Sequence, residues 1–246
     1  MKADVASTLG LWRSLLIYRG QPWRTLALRR FCRTLVRPGD LAFDVGAHVG
    51  SRARALAAAG ARVVAIEPQP LFADYLARRV AGPRIAVLPV ALGRTPGRAT
   101  LNVSRRHPTV STLSADWIGK VREAPGFSGV RWEGRTEVPV TTLDALIAEH
   151  GRPAFCKIDV EGLEAEILGG LSQPIPLLCF EILPAAADIA EACIRRLAGL
   201  GPYRFGFVPG ERHRLGDEWL SADRMVARLP DIAAAGRSGD IYARLQ

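Results

Sequence analysis

Apolar positions along the chain change their spacing at about Leu41, from a helical period to short continuous runs. Before that point Leu28, Phe31, Cys32 and Leu35 recur at i, i+3, i+4 and i+7, which predicts an amphipathic helix over residues 21–37. Pro22 suits its first turn, and Arg29, Arg33 and Arg37 form a stripe on the other side. Residues 4–19 read as an earlier helix, with Val5, Leu9, Trp12 and Leu16 in register, and "RPGD" (37–40) turns the chain. From Leu41 onward, runs and helical stretches alternate. "LAFDV" is a strand, residues 51–59 a helix closed by Gly60, "RVVAIEP" a strand, residues 70–80 a helix and "RIAVLPVAL" a third strand. "PAFCKIDVEG" and "PLLCFEI" are further buried strands. The first runs into a helix with Leu163, Ile167 and Leu171 at spacing four, the second into a helix over 185–200. Such alternation predicts an α/β protein with a parallel sheet covered by helices on both faces.

The alternation is interrupted once. "GRATLNVS" reads as an extra strand, and residues 107–134 are polar and irregular around Trp117 and Trp132, the kind of insertion that often builds a substrate site. "TEVPVTTLDALIAEH" is a short strand followed by a helix from Thr142. "PYRFGFVP" and "GDIYARL" close the chain as two strands with no helix evident between them, so they are expected to be antiparallel. The plan is a helical extension over 1–38 and an α/β domain over 39–246, with an insertion at about 104–136.

Composition narrows this little. The 246 residues suit one large α/β domain, and no run approaches the ~18 apolar residues of a spanning helix. The opening residues lack the basic, apolar, small-residue order of a secretory signal, and a cytoplasmic protein is expected. Cys32, Cys156, Cys179 and Cys193 show no metal-ligand spacing and read as reduced, buried thiols. The net charge of +9 is uneven: residues 1–40 hold eight Lys/Arg and two Asp/Glu, residues 41–246 hold 25 and 22. A nearly balanced main domain argues against a nucleic-acid partner. The basic leading helices are expected to face water, with a face for an anionic membrane, a nucleic acid or an acidic substrate as the other use.

Ligands of a parallel sheet bind outside the carboxyl ends of its strands. The first strand runs into "DVGAHVG", where Gly46 and Gly50 allow a tight turn close to a ligand and Asp44 leaves a carboxylate at the strand end. Ala47 and His48 lie in that turn, and His48 reads as a residue that shapes it. Glu67 and Pro68 end the second strand, where a carboxylate offers two acceptor oxygens to a ribose. A nicotinamide cofactor calls for G-x-G-x-x-G beneath its pyrophosphate. The spacing here differs, and Asp44 would repel a pyrophosphate. Asp44 and Glu67 suit S-adenosylmethionine, whose ammonium and sulfonium accompany a ribose.

"KIDVEGLE" is the second constellation. The chain has 30 arginines and three lysines, so Lys157 within an apolar run is out of pattern. Lys157, Asp159 and Glu161 alternate, and a continuous strand would point all three to one side. They read as groups for substrate orientation, proton abstraction or metal binding, or as a structural ion pair of Lys157 with Asp159 or Glu161. Glu181 ends the next strand at the same rim and joins Asp159 as a candidate ligand for a divalent metal. His107, before Pro108 in the insertion, is another candidate base.

"FDVGAHVG", "VVAIEPQP", "PVALG", "VPVTTLDALI", "CKIDVEGLEAEILGG" and "CFEI", in that order over residues 36–183, resemble the FkbM family of S-adenosylmethionine-dependent methyltransferases. The resemblance implies a Rossmann-like class I methyltransferase fold, with a seven-stranded, mostly parallel sheet whose last strand is antiparallel. It implies methyl transfer, usually to a hydroxyl oxygen of a small molecule or saccharide. It sets Asp44, Gly46, Ala47 and Gly50 along the methionine part, Glu67 at the ribose, and Asp159 and Glu161 toward the reacting group, with Ala91 of "PVALG" in the cofactor set. His48 stands where the family commonly has asparagine and keeps a donor and an acceptor. A hydroxyl acceptor must lose its proton. Asp159 is the first choice of base, ahead of Glu161 and His107, and a Mg²⁺ on the carboxylates is the other route. Two other classes stay open: an RNA or protein methyltransferase, and a non-catalytic nucleoside-binding relative.

Overall fold

The computed structural model of the protein describes residues 5–19, 21–210 and 212–246, with backbone alone at 5–8 and 17–19. The predicted helix start at residue 4 and the packing of Val5 lie outside the described residues. The chain opens with α1 (Val5–Arg19) and α2 (Pro22–Leu35). Then come β1 (Leu41–Val45), α3 (Ser51–Ala58), β2 (Arg62–Ile66), α4 (Pro70–Arg79), β3 (Ile85–Leu88), β4 (Ala91–Leu92) and β5 (Gly97–Val103). They are followed by α5 (Ala115–Val121), β6 (Gly134–Thr141), α6 (Leu143–His150), β7 (Phe155–Ile158), α7 (Glu164–Gly169) and β8 (Leu177–Ile182). The last elements are α8 (Ala187–Ala198), β9 (Tyr203–Pro209), α9 (Ala222–Ala234) and β10 (Gly239–Leu245).

The main sheet has seven strands in the order β3-β2-β1-β7-β8-β10-β9. Its inner strands are parallel, and β10 runs antiparallel to both neighbours. Strand alternation divides the core into two layers. Leu41, Phe43 and Val45 of β1 face a layer formed with α6, α7, α8 and α9. Ala42 faces the other layer, where Phe31, Cys32 and Leu35 of α2 meet Ala53 and Leu56 of α3. All four cysteines are buried free thiols, as expected.

Four details differ from the sequence reading. The third strand is two: β3 joins the main sheet, whereas β4 pairs with β6 in a separate three-stranded sheet. Pro89 and Val90 lie between them, and Pro89 has no amide hydrogen to continue the ladder. The region from 107 to 134 is not wholly irregular. Ser114 caps α5 by accepting from the Trp117 amide (3.0 Å), and Trp117, Val121 and Ala186 form a small apolar cluster that Phe127 and Trp132 join. A helix, α9, does lie between the two antiparallel closing strands. Ser221 caps it, and Met225, Leu229 and Ile232 bury one face despite the internal Pro230. Finally, β7 stops at Ile158, and Glu161 takes a left-handed conformation (φ 58°), so "KIDVEG" turns instead of continuing as a strand.

Gly162 (φ 101°) completes that turn, and a β-carbon there would collide with the Trp117 ring. Gly162→Ala is therefore expected to cost about 2–4 kcal/mol, from the positive φ and the overpacking together. Chemical denaturation followed by tryptophan fluorescence measures it.

Candidate active site

The strand order reverses between β1 and β7, where a parallel sheet opens a crevice at its carboxyl edge. Two turns meet there. After β1, Gly46 (φ 81°), His48 (φ 49°) and Gly50 (φ 74°) bend the chain, and the amides of Gly46 and Ala47 both donate to the Ile66 carbonyl at 3.0 Å. A side chain on Gly46 would overlap the carbonyl oxygen of Asp159, so glycine here lets the β7 turn close on the β1 turn. Gly50 serves packing: its β-carbon would fall 2.8 Å from Leu76 of α4 and 2.9 Å from Val80, which caps that helix.

Two cavities meet at Gly46, His48 and Asp159. The larger, about 550 Å³, is bounded by Asp44, Ala47, Arg52, Lys157, Glu181, Asp240 and Tyr242, with α2 on its far side. The smaller, about 60 Å³, is lined by Glu67, Pro68, Ala91, Leu101 and Glu161. Gly50 and His107 border neither cavity. Burial, and then the charges of Arg13 and Arg106, push the His107 pKa down.

The β-ladder fixes the polar floor. Asp44, Lys157, Cys179 and Tyr242 are register partners across β1, β7, β8 and β10, so their side chains share a face. Lys157 Nζ lies 2.8 Å from Asp159 Oδ2 and 3.4 Å from Asp240 Oδ1. Arg52 Nη2 stands 3.7 Å from Asp240 Oδ2. Burial raises the Asp44 pKa, with Arg52 and Lys157 opposing, and its Oδ2 is buried without a hydrogen-bond partner. Burial works the same way on Asp159, but the charge and hydrogen bond of Lys157, with Arg52, bring it below the usual range. Glu161 and Glu181 are pushed well up, by burial first and then by neighbouring carboxylates. Oxygens of Asp159, Glu161 and Glu181 lie within 4.8 Å of one another, an oxygen set that a divalent cation could use.

Glu67 is 6% exposed, and its two oxygens accept from the amides of His48 (2.8 Å) and Gln69 (2.9 Å). Each oxygen can accept a further hydrogen bond, and Glu67 lines the small cavity. Burial outweighs both bonds and raises its pKa to about 7. His48 packs on Phe72, with ring centroids 4.4 Å apart, and burial lowers its pKa to about 4, so it is neutral at pH 7.

Sequence reasoning missed five supporting residues. Arg52, Asp240 and Tyr242 join the floor only through the fold. Asp240 carried one weak signal, a lone acid at the head of an apolar strand. Thr112, fully buried, donates to the Glu161 carbonyl (2.6 Å) and holds the strained turn. Glu164 accepts from the amides of Val160 and Gly162 (both 3.1 Å), and burial raises its pKa to about 7.

The strand order, the glycine turn at its reversal and the acidic residue after β2 define a Rossmann-like methyltransferase fold. Residues 44–192 match the methyltransferase FkbM domain, and the chain belongs to that family. It is 25% identical over 160 residues to the hexuronic acid methyltransferase AglP of Haloferax volcanii, covering 64% of this chain and 61% of that protein. The chain thus spans less than two thirds of that relative. Among solved structures, it is similar to the methyltransferase FkbM of Methylobacillus flagellatus, with TM-score 0.49 and 18% identity over 85% of this chain and 45% of that one. It is also similar to an O-methyltransferase of Bacillus cereus solved in complex with SAH, with TM-score 0.47 and 12% identity over 100% and 93%.

The buried carboxylates set the pH response. Glu67 and Glu164 have ordinary values of 4.5 and folded values of about 7, so between these limits the folded chain binds more protons than the unfolded one. Each of these two groups should therefore lower the stability of the ligand-free protein as pH rises from 4.5 to about 7, by an amount on the order of 3 kcal/mol per group, while His48, with an ordinary value of 6.5 and a folded value of about 4, raises it by a similar amount between those limits and offsets one of them. Denaturation midpoints across that window measure the slope, and Glu67→Ala should flatten it.

Proposed function

We propose that the protein transfers a methyl group from S-adenosylmethionine to an oxygen of a saccharide or other small molecule. One observation carries the cofactor reading: Asp44 holds a buried carboxylate oxygen without a partner beside the glycine turn, facing the larger cavity. A buried acceptor of that kind is costly unless a donor or cation meets it, and the ammonium of the cofactor is such a group. Glu67, at the small cavity, takes the ribose hydroxyls with its remaining lone pairs. When bound, the cofactor supplies an electrophilic methyl group on a sulfonium.

The chain's own residues do the rest. They hold the acceptor oxygen in line with the methyl group, a contribution mainly of proximity and orientation, and they remove its proton. Lys157 keeps Asp159 ionised and therefore a weak base. Glu161 and Glu181, both raised, accept a proton more strongly, so this pair, rather than Asp159, serves as the base. Lys157 acts as a positioning residue. Arg29 and Arg212 stand along the larger cavity, which favours an acceptor bearing a carboxylate or phosphate. An acidic sugar fits this chemistry, and the Haloferax relative is named for a hexuronic acid.

Calorimetric titration with S-adenosylhomocysteine tests the cofactor reading, with NAD as the control. Micromolar binding that weakens at least tenfold in Glu67→Ala is expected, and no binding to a folded protein would exclude the reading. With an acceptor found by screening acidic and neutral saccharides, Glu181→Gln should lower kcat about 100-fold, a much larger effect than on S-adenosylhomocysteine affinity.

A further inference from the structure

Helix α1 lies on the domain the wrong way round for a solvated helix. Its small-residue side faces inward: Ser14 is 3% exposed, and a β-carbon on Gly10 would press into the Arg105 carbonyl and the Pro108 ring. Three large apolar side chains face water, with Leu9 63%, Trp12 61% and Leu16 70% exposed, at i, i+3 and i+7. The same surface type continues on α2, where Trp23 is 68% and Leu26 49% exposed. Among the described residues these are the large exposed apolar side chains, and all lie on these two helices. Apolar groups gathered in this way mark an interaction surface.

Charge identifies the partner. Residues 5–37 contain seven arginines and no Asp or Glu. On α2, Arg30, Arg33 and Arg37 are exposed and follow Trp23 and Leu26 at helical spacing along one side. Two copies of so uniformly cationic a face would repel each other across a twofold axis. A nucleic-acid backbone would satisfy the arginines but leave Leu9, Leu16 and Leu26 without partners. An anionic bilayer surface satisfies both sets at once: headgroups meet the guanidinium groups, and the boundary with the acyl chains takes Trp and Leu. Among the described residues, no helix is long and apolar enough to cross a membrane. We infer that α1 and α2 form a docking surface on which the protein lies against an anionic lipid bilayer. Arg24, Thr25, Leu28 and Arg29 of α2 line the larger cavity, so docking brings the site's entrance to the lipid surface.

Flotation of the full chain with vesicles tests this. Vesicles of equal parts phosphatidylcholine and phosphatidylglycerol should carry the protein, and pure phosphatidylcholine should carry at least tenfold less. Salt should weaken the binding, since each arginine near an anionic surface contributes about fivefold. Tryptophan emission of the unmodified chain should shift to the blue on addition of the anionic vesicles. Trp12→Ser with Trp23→Ser, and separately Arg30→Gln with Arg33→Gln, should each lower partitioning at least tenfold. Melting temperature should not change, because these side chains are exposed. The inference fails if the anionic vesicles leave the protein in solution, or if both double variants float as the parent does. It fails equally if light scattering shows a dimer that Trp12→Ser with Trp23→Ser separates, or if RNA, and not lipid, retains the chain.

Discussion

The buried ammonium of Lys157 is the interaction on which the site depends. A lone ammonium at this depth would cost several kcal/mol. It is offset by Asp159 at 2.8 Å and Asp240 at 3.4 Å, one from the turn after β7 and one from β10. The pair therefore joins the strand beside the reversal to the strand that closes the sheet. It also leaves the rim with an excess of acid. Asp44, Asp159, Glu161, Glu181 and Asp240 face Lys157 and Arg52, and the upward shifts of Asp44, Glu161 and Glu181 express that imbalance. A ligand with a cationic end relieves it, and under the proposed function the electrostatics of the floor would select for S-adenosylmethionine.

Backbone geometry supplies the second half of the account. Strand order alone opens a crevice between β1 and β7, but its polar contents depend on two tight turns pressed together. Gly46 gives the space that the Asp159 carbonyl fills. Thr112 and Glu164 then hold the turn in which Glu161 adopts φ 58°. Strain at such a position persists only when its surroundings over-determine it. Here they include Trp117, so the insertion before β6 is tied to the chemistry it borders.

Much of this was legible in the sequence because local patterns carried it. Alternating apolar runs gave away the parallel strands, since each is buried on both faces. Asp44, Gly46 and Glu67 were legible because they end strands or begin turns, positions that a parallel sheet places at its binding edge. The antiparallel closing pair was also readable, but not α9 between its strands, where Pro230 and several charged residues mask a regular apolar face. The turn at Glu161 was hidden for a different reason: alternation in "KIDVEG" mimics a strand, and the contacts that bend it come from Thr112, 49 residues before Glu161, and from Trp117, far upstream of Gly162. Arg52, Asp240 and Tyr242 share no local signal, because only the register of β7, β8 and β10 assembles them. The exposed apolar side of α1 was read as an ordinary helical stripe, and which side faces inward is a tertiary fact.

The most direct test of the central claim is the affinity of Lys157→Met for S-adenosylhomocysteine, measured by calorimetry on protein whose melting curve shows it folded. Removing the ammonium takes away the partner that holds Asp159 and Asp240 in place beside the glycine turn, and the account predicts at least tenfold weaker binding, because the loss of that geometry outweighs the added negative charge, which by itself would favour the ligand's ammonium. Affinity equal to that of the unsubstituted chain would contradict it.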